Sequence, residues 1–278
     1  MMVVNSNCKS NGSEPIDDGP GGNDTIPEVP GWTLVWNDEF SGTEIDMNKW
    51  EHEVNATGGG NNELQYYTDR DINSYIEDGK LVILGLKETY TGPEGTREYT
   101  SARLRTLNKG DWKYGRFEIK AKLPYGQGIW PAILMLPTDW VYGGWAASGE
   151  IDIMLMVGHD TKTIHGTLHY GGEWPENVQS GDEFVLQEGT FSGDFHIFTL
   201  QWKEGEMRWF VDGIQYLTQS QWYSSAQGYP APFDQRFHLL LNMAIGGNWP
   251  GDPDETTVFP QKMYIDYVRV YEKNQYLP

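Results

Sequence analysis

GEIDIMLMVG, residues 149–158, is the stretch on which the reading of this chain turns. Its apolar run is of strand length and has a glycine at each end. Yet Glu150 and Asp152 stand two apart inside it. Carboxyl groups in an apolar strand are costly unless something uses them. In a regular strand Glu150, Asp152 and Met154 share one face, and Ile151, Ile153 and Leu155 the other. A β-bulge after Ile153 would change this and bring Leu155 onto the face of the acids. Two readings stay open here: a catalytic strand lining a cleft, or an edge strand whose acids are solvated or bind calcium as a pair.

Outward from this stretch the chain consists of short β-type runs broken by turn signals. TLVWNDEF (33–40), KLVILGLKE (80–88), YGRFEIKAKLP (114–124) and WPAILMLP (130–137) precede it. TIHGTLHY (163–170), HIFTLQWKEGEMRWFVDG (196–213), FHLLLNMAIGG (237–247) and MYIDYVRVYE (263–272) follow. Period-two alternation puts Phe117, Ile119, Ala121 and Leu123 on one face, and Glu204-Gly205 is placed to turn a hairpin. No segment carries a capped 3.6-residue repeat. Many strands at this spacing indicate an all-β sandwich or barrel, here read as one sandwich domain over 31–278. Residues 1–30 are rich in Gly, Pro, Asn, Asp and Ser and are expected to form a disordered leader.

Composition narrows the function classes. Twenty Lys and Arg against forty Asp and Glu leave a formal charge of −20. Such a surface repels phosphate backbones and anionic lipid, so nucleic-acid partners are not expected. No apolar run approaches the ~20 residues of a membrane-spanning helix. Cys8 is the only cysteine, which excludes an intrachain disulfide. Ahead of a flexible tether it is compatible with a lipid anchor, although the residues before it make a poor acylation signal and show no secretory core. Twelve Trp, 16 Tyr and 10 Phe fit a site that stacks flat, uncharged rings.

The strand GEIDIM followed by MVG, together with SARLRT (101–106), GIWPAILMLP (128–137), HGTLHYGG (165–172) and LLLNMAIGGNWPG (239–251), resembles glycoside hydrolase family 16. Within it the sequence is most similar to bacterial laminarinases, endo-β-1,3- and β-1,3(4)-glucanases. The resemblance runs from about Trp32 to Tyr271. It implies a concanavalin-like jelly-roll β-sandwich with a concave glucan-binding cleft, a retaining mechanism, and an exported or cell-surface protein acting as a monomer. Retention needs two carboxyl groups ~5–5.5 Å apart, one a nucleophile and one an acid/base. The resemblance assigns Glu150 as nucleophile and Asp152 as the middle acid. In the laminarinase pattern the acid/base glutamate falls at position 155, where this chain has Leu155. Met154, the last position of the unbulged pattern, supplies no acid either. The chain is therefore expected to bind β-1,3- or mixed-linkage glucan and hydrolyse it very slowly. It is either an enzyme altered at one position or a natural homologue retired to binding.

The same resemblance implies the rest of the site. His169 lies on the next strand, where it can bond an acid of the first. Asn62 and Glu63, Arg105, Trp130, Trp145, Trp174, Asn242 and Trp249 match glucan-contacting positions. The chain has GGG (58–60) where the family often has GWG, one aromatic fewer. A structural calcium is implied at Glu39, the Gly79 carbonyl and Asp266, oxygen donors of the kind that ion takes. The competing class is a carbohydrate-binding protein without catalysis, because sandwiches of this kind serve both ends. Retention of Glu150 and Asp152 favours enzyme ancestry, and Leu155 favours the binder. A calcium-dependent adhesion domain lacks support, since clustered Asp motifs are absent.

Overall fold

The computed structural model describes residues 26–274. Cys8 and most of the expected leader lie outside the described residues. Within them the alternating apolar pattern resolves into eighteen strands and no α-helix. The first nine are β1 (Trp32–Asp38), β2 (Glu51–His52), β3 (Gln65–Tyr67), β4 (Ser74–Glu77), β5 (Lys80–Gly92), β6 (Gly95–Ser101), β7 (Arg103–Arg105), β8 (Asp111–Trp112) and β9 (Gly115–Lys122). Then come β10 (Ile129–Pro137), β11 (Glu150–Leu155), β12 (Thr163–Gly171), β13 (Asn177–Val185) and β14 (His196–Lys203). The chain closes with β15 (Glu206–Val211), β16 (Ile214–Gln219), β17 (Phe237–Ile245) and β18 (Gln261–Lys273).

Ten strands form one sheet in the order β16-β15-β14-β9-β18-β5-β6-β3, with β1 beside β18 and β4 beside β5. The other eight run β13-β12-β11-β10-β17-β7-β2, with β8 beside β17. The pairing is antiparallel apart from β3 with β6. This is the two-sheet sandwich that the alternation predicts and the jelly roll that the resemblance implies. Phe117, Ile119, Ala121 and Leu123 all turn inward, none more than 2% exposed. They meet Ile133, Met135, Ile151, Leu239 and Leu241 from the eight-stranded sheet in one apolar core. The hairpin also turns at the expected place, with Lys203 paired to Glu206 and Gly205 at φ 71°.

The eight-stranded sheet positions the site because one strand carries an extra residue. On the β12 side Asp152 pairs with Thr167 and Leu155 with His165, so two residues of β11 face one of β12, Gly166. On the other side Asp152 pairs with Leu134 and Met154 with Ile133, skipping Ile153. Ile153 and Met154 both enter the core, 2% and 0% exposed. After this bulge Leu155 returns to the face of Glu150 and Asp152, as the bulged reading of the sequence requires. Gly166 lets the bulge pack closely: a Cβ there would lie 2.6 Å from Tyr216 Oη and 2.8 Å from Trp209 Cδ1. The Trp209 indole in turn donates to the Asp152 carbonyl at 2.8 Å.

Gly166→Ala must move Trp209 off that carbonyl. Calorimetry is expected to show a loss of about 1–3 kcal/mol, the usual range for overpacking a dense core. An unchanged Tm would show that the bulge does not depend on this close approach.

Candidate active site

Alternation places Glu150, Asp152 and Leu155 on the outer face of the sheet, beside Trp130, Ala132 and Leu134 of β10 and His165, Thr167 and His169 of β12. Asp152 is completely buried, and neither of its carboxylate oxygens receives a hydrogen bond from the protein. Its partner is His169, whose Nε2 stands 3.3 Å from Asp152 Oδ2. Glu150 pairs across the strands with His169, and its Oε2 accepts a hydrogen bond from Trp145 Nε1. The Trp145 ring lies tilted over the His169 imidazole, centroids 5.5 Å apart. Donor and acceptor atoms of Glu150, Asp152 and His169 all fall within 4.8 Å of one another.

The loop that carries Trp145 is tied at several points. Gly144 N donates to Glu173 Oε1 at 2.6 Å, and Trp174 N donates to Trp145 O at 2.9 Å. Gly149, at φ 85°, ends the loop where any Cβ would meet Phe233 at 2.8 Å. Glu150 therefore leaves a turn that only glycine accommodates comfortably.

A polar network forms the other wall. Asn242, 3% exposed, donates from Nδ2 to Tyr67 Oη at 3.1 Å, and Gln65 Nε2 donates to Glu63 Oε2 at 2.7 Å. Asn62 Nδ2 donates to Asn248 Oδ1 at 2.9 Å, joining the Gly58–Gly60 turn to the loop bearing Trp249. Trp249 stands edge-on to Trp130 at 5.4 Å and to His165 at 5.1 Å. The buried Trp130 Nε1 has no hydrogen-bond partner among the described residues. Trp174 is 73% exposed and presents its ring at the rim.

The two arginines of SARLRT divide their work in a way that alternation does not show. Arg105 is held by salt bridges to Glu51 at 2.6 Å and to Glu53 at 3.2 Å. Arg103, bonded to Glu53 at 3.2 Å, extends Nη1 to within 3.5 Å of Asn242 Oδ1. Burial alone would lower its pKa, but Glu53, Tyr67, Glu63 and Glu150 together raise it. Of the two arginines, Arg103 is the one coupled to Glu150. His165 also lies on this face, where the alternation of TIHGTLHY aligns it with Thr167 and His169.

The sequence matches the glycosyl hydrolases family 16 pattern over residues 43–269. The chain belongs to glycoside hydrolase family 16. It is 43% identical over 270 residues to glucan endo-1,3-beta-glucosidase A1 of Niallia circulans, covering 91% of this chain and 39% of that one. The beta-glucanase of Rhodothermus marinus is also 43% identical, over 266 residues, 90% of this chain and 88% of its own. Among solved structures, the catalytic domain of an endo-1,3-beta-glucanase (laminarinase) from Thermotoga petrophila is similar with a TM-score of 0.79 and 46% identity, over 89% of this chain and 100% of that one. The chain thus spans about two fifths of the first of these relatives and nearly all of the other two.

Electrostatics set the state of this family 16 site. Burial, and then the neighbouring Asp152 charge, push the Glu150 carboxyl from 4.5 up to about 7. For His169 burial works downward, but the close contact with Asp152 and the charges of both acids outweigh it and raise the imidazole to about 9. At neutral pH His169 is protonated and neutralises Asp152.

The carboxylates expected to hold calcium are paired with the protein's own cations. Strand register brings the three segments together, with Asp38 opposite Val268 and Leu81 opposite Ile265. But Glu39 is gripped at both oxygens by Arg269, at 2.9 and 2.7 Å. Asp266 takes Lys120 at 2.9 Å and lies 3.9 Å from Lys80. Side-chain cations of the protein thus pair with both carboxylates. EGTA is therefore expected to leave the Tm unchanged by calorimetry; a fall of several degrees would show that calcium displaces these cations.

The raised carboxyl fixes a pH dependence. Folded Glu150 keeps its proton up to about pH 7, whereas the ordinary value is 4.5. Its stabilising contribution is complete below the unfolded value and is lost as pH rises through 7. Glu150→Gln should thus raise stability by about 1–3 kcal/mol at pH 8 and have little effect near pH 4, read from urea melts at both. Equal effects at the two pH values would contradict the raised Glu150 carboxyl.

Proposed function

We propose that this chain is a retaining β-1,3(4)-glucanase scaffold of the laminarinase type, poorly able to hydrolyse natural glucan because its acid/base is missing. One observation carries the reading: the bulge in β11 turns position 155 onto the acid face, and that position holds leucine. Its neighbours there, Ala132, Leu134, Leu136 and Leu240, are apolar as well. No carboxyl stands at that position to protonate a departing sugar.

In the proposed reaction Glu150 is the nucleophile. The Trp145 indole orients one of its oxygens, leaving the other to attack the anomeric carbon. Asp152 and protonated His169 are positioning residues, which hold a fixed charge balance beside Glu150. The carboxyl is only partly ionised at neutral pH, so attack should strengthen as pH rises through 7. Trp130, Trp145, Trp174 and Trp249 offer flat faces for glucose rings. Asn62, Glu63, Asn242, Arg105 and Arg103 offer hydrogen bonds to their hydroxyls. A polymeric substrate too large to cross a membrane suits a secreted or cell-surface protein.

General acid assistance is typically worth 10²–10⁴-fold, and an unactivated sugar leaving group needs it. The competing reading, a β-glucan-binding protein without catalysis, is favoured by Leu155 alone. Two measurements separate them. Leu155→Glu should raise laminarin hydrolysis by about 10²–10⁴-fold, assayed as reducing ends. The unaltered chain, given a dinitrophenyl β-laminaribioside whose leaving group needs no proton, should form a covalent glycosyl adduct at Glu150, seen by mass spectrometry. Binding of laminarin with no adduct, and no gain from Leu155→Glu, would establish the binder.

A further inference from the structure

The other residue pointing at the vacated acid/base position is a histidine. His165 is the cross-strand partner of Leu155. Directly paired side chains on one face have Cβ atoms ~4.5–5.5 Å apart, so the imidazole borders the space where the acid/base carboxyl would stand. Its ring is fixed edge-on to Trp249 at 5.1 Å, and Trp249 also braces Trp130. No side chain or backbone group among the described residues takes a hydrogen bond from its ring, although the residue is only partly exposed. An imidazole beside a cleft, held in place but left unbonded, is free to accept a proton.

Resting on the reading of Glu150 as nucleophile, we infer that His165 is the general base of the second chemical step in this chain. Once the sugar is bonded to Glu150, a water oxygen attacks the anomeric carbon and its proton passes to a ring nitrogen of His165. The bond from that carbon to the Glu150 oxygen breaks, and its electron pair returns to the carboxylate. The imidazolium then releases its proton to solvent. Atoms and charge balance without any further reactant.

The groups around His165 set its protonation. Burial lowers its pKa from 6.5, while Glu183, its partner on β13, and Asp160, from the β11–β12 connection, oppose this less strongly. β11 presents only Leu155, and the loop after β17 only Trp249. At neutral pH the ring is therefore unprotonated. It is suited to act as a base and unsuited to act as the acid of the first step, so laminarin stays largely uncut even though an adduct, once formed, turns over.

The test follows the adduct. The full chain is loaded with dinitrophenyl β-laminaribioside, freed of excess substrate, and its adduct lifetime is read by intact mass between pH 5 and 8. The lifetime should shorten as pH rises and level off below the ordinary imidazole value of 6.5, because burial lowers the pKa of His165. His165→Ala and His165→Gln should each lengthen it at pH 7 by at least ~10-fold and flatten the profile, with azide restoring turnover because an anion needs no base. In the Leu155→Glu background the same substitutions should matter little, because a carboxylate then does the work; a purely structural His165 would act equally in both. An adduct whose lifetime ignores both substitutions overturns this role and leaves Glu150 as nucleophile. Neither an adduct nor release of dinitrophenol by the unaltered chain overturns both.

Discussion

The extra residue in β11, where Ile153 and Met154 together face Gly166, is the constraint on which the rest of the site depends. A strand alternates strictly, so without the bulge position 155 would point into the core and Met154 would point at the cleft. With it, two consecutive apolar side chains enter the sandwich and the strand resumes its alternation one residue out of phase. The bulge is stable because its neighbours are shaped for it. Gly166 leaves room for Tyr216 and Trp209, and the Trp209 indole satisfies the Asp152 carbonyl. A device that links the core of the sandwich to the direction of a side chain on the opposite face makes the site as rigid as the core itself.

On that face charge is arranged economically. Asp152 is buried with a single cationic partner, and Glu150 is held close to neutral by burial and by Asp152. A third carboxylate at position 155 would add a like charge to a crowded, poorly solvated cluster, raising its electrostatic cost. Leucine removes that charge and packs onto Ala132, Leu134 and Leu240. Under the proposed function, leucine here exchanges acid/base chemistry for relief of repulsion in the resting protein, as expected where active-site groups are held against their own stability.

Much of this was legible before the structure. The alternation in RFEIKAKL, the Glu204-Gly205 hairpin and the spacing of the acids indicated a two-sheet sandwich with its acids on one strand. What stayed hidden has physical causes. Arg103 and Arg105 alternate onto the same face, and no local pattern says which will meet Glu51 and which Asn242. The calcium donors have the right chemistry and even the right neighbourhood, but Arg269, Lys80 and Lys120 arrive from elsewhere in the sheet to neutralise them. His165 was overlooked because its meaning comes from the residue opposite it.

By itself, then, the sequence determined the class of fold, the strand that bears the acids and the absence of a third carboxyl, because each follows from local periodicity and residue chemistry. Only the tertiary structure decided whether the bulge forms, which cation faces the acids, and that His165 borders the empty position. Those outcomes depend on pairing between strands far apart in the chain, and register across a sheet is a property of two segments that neither one encodes alone.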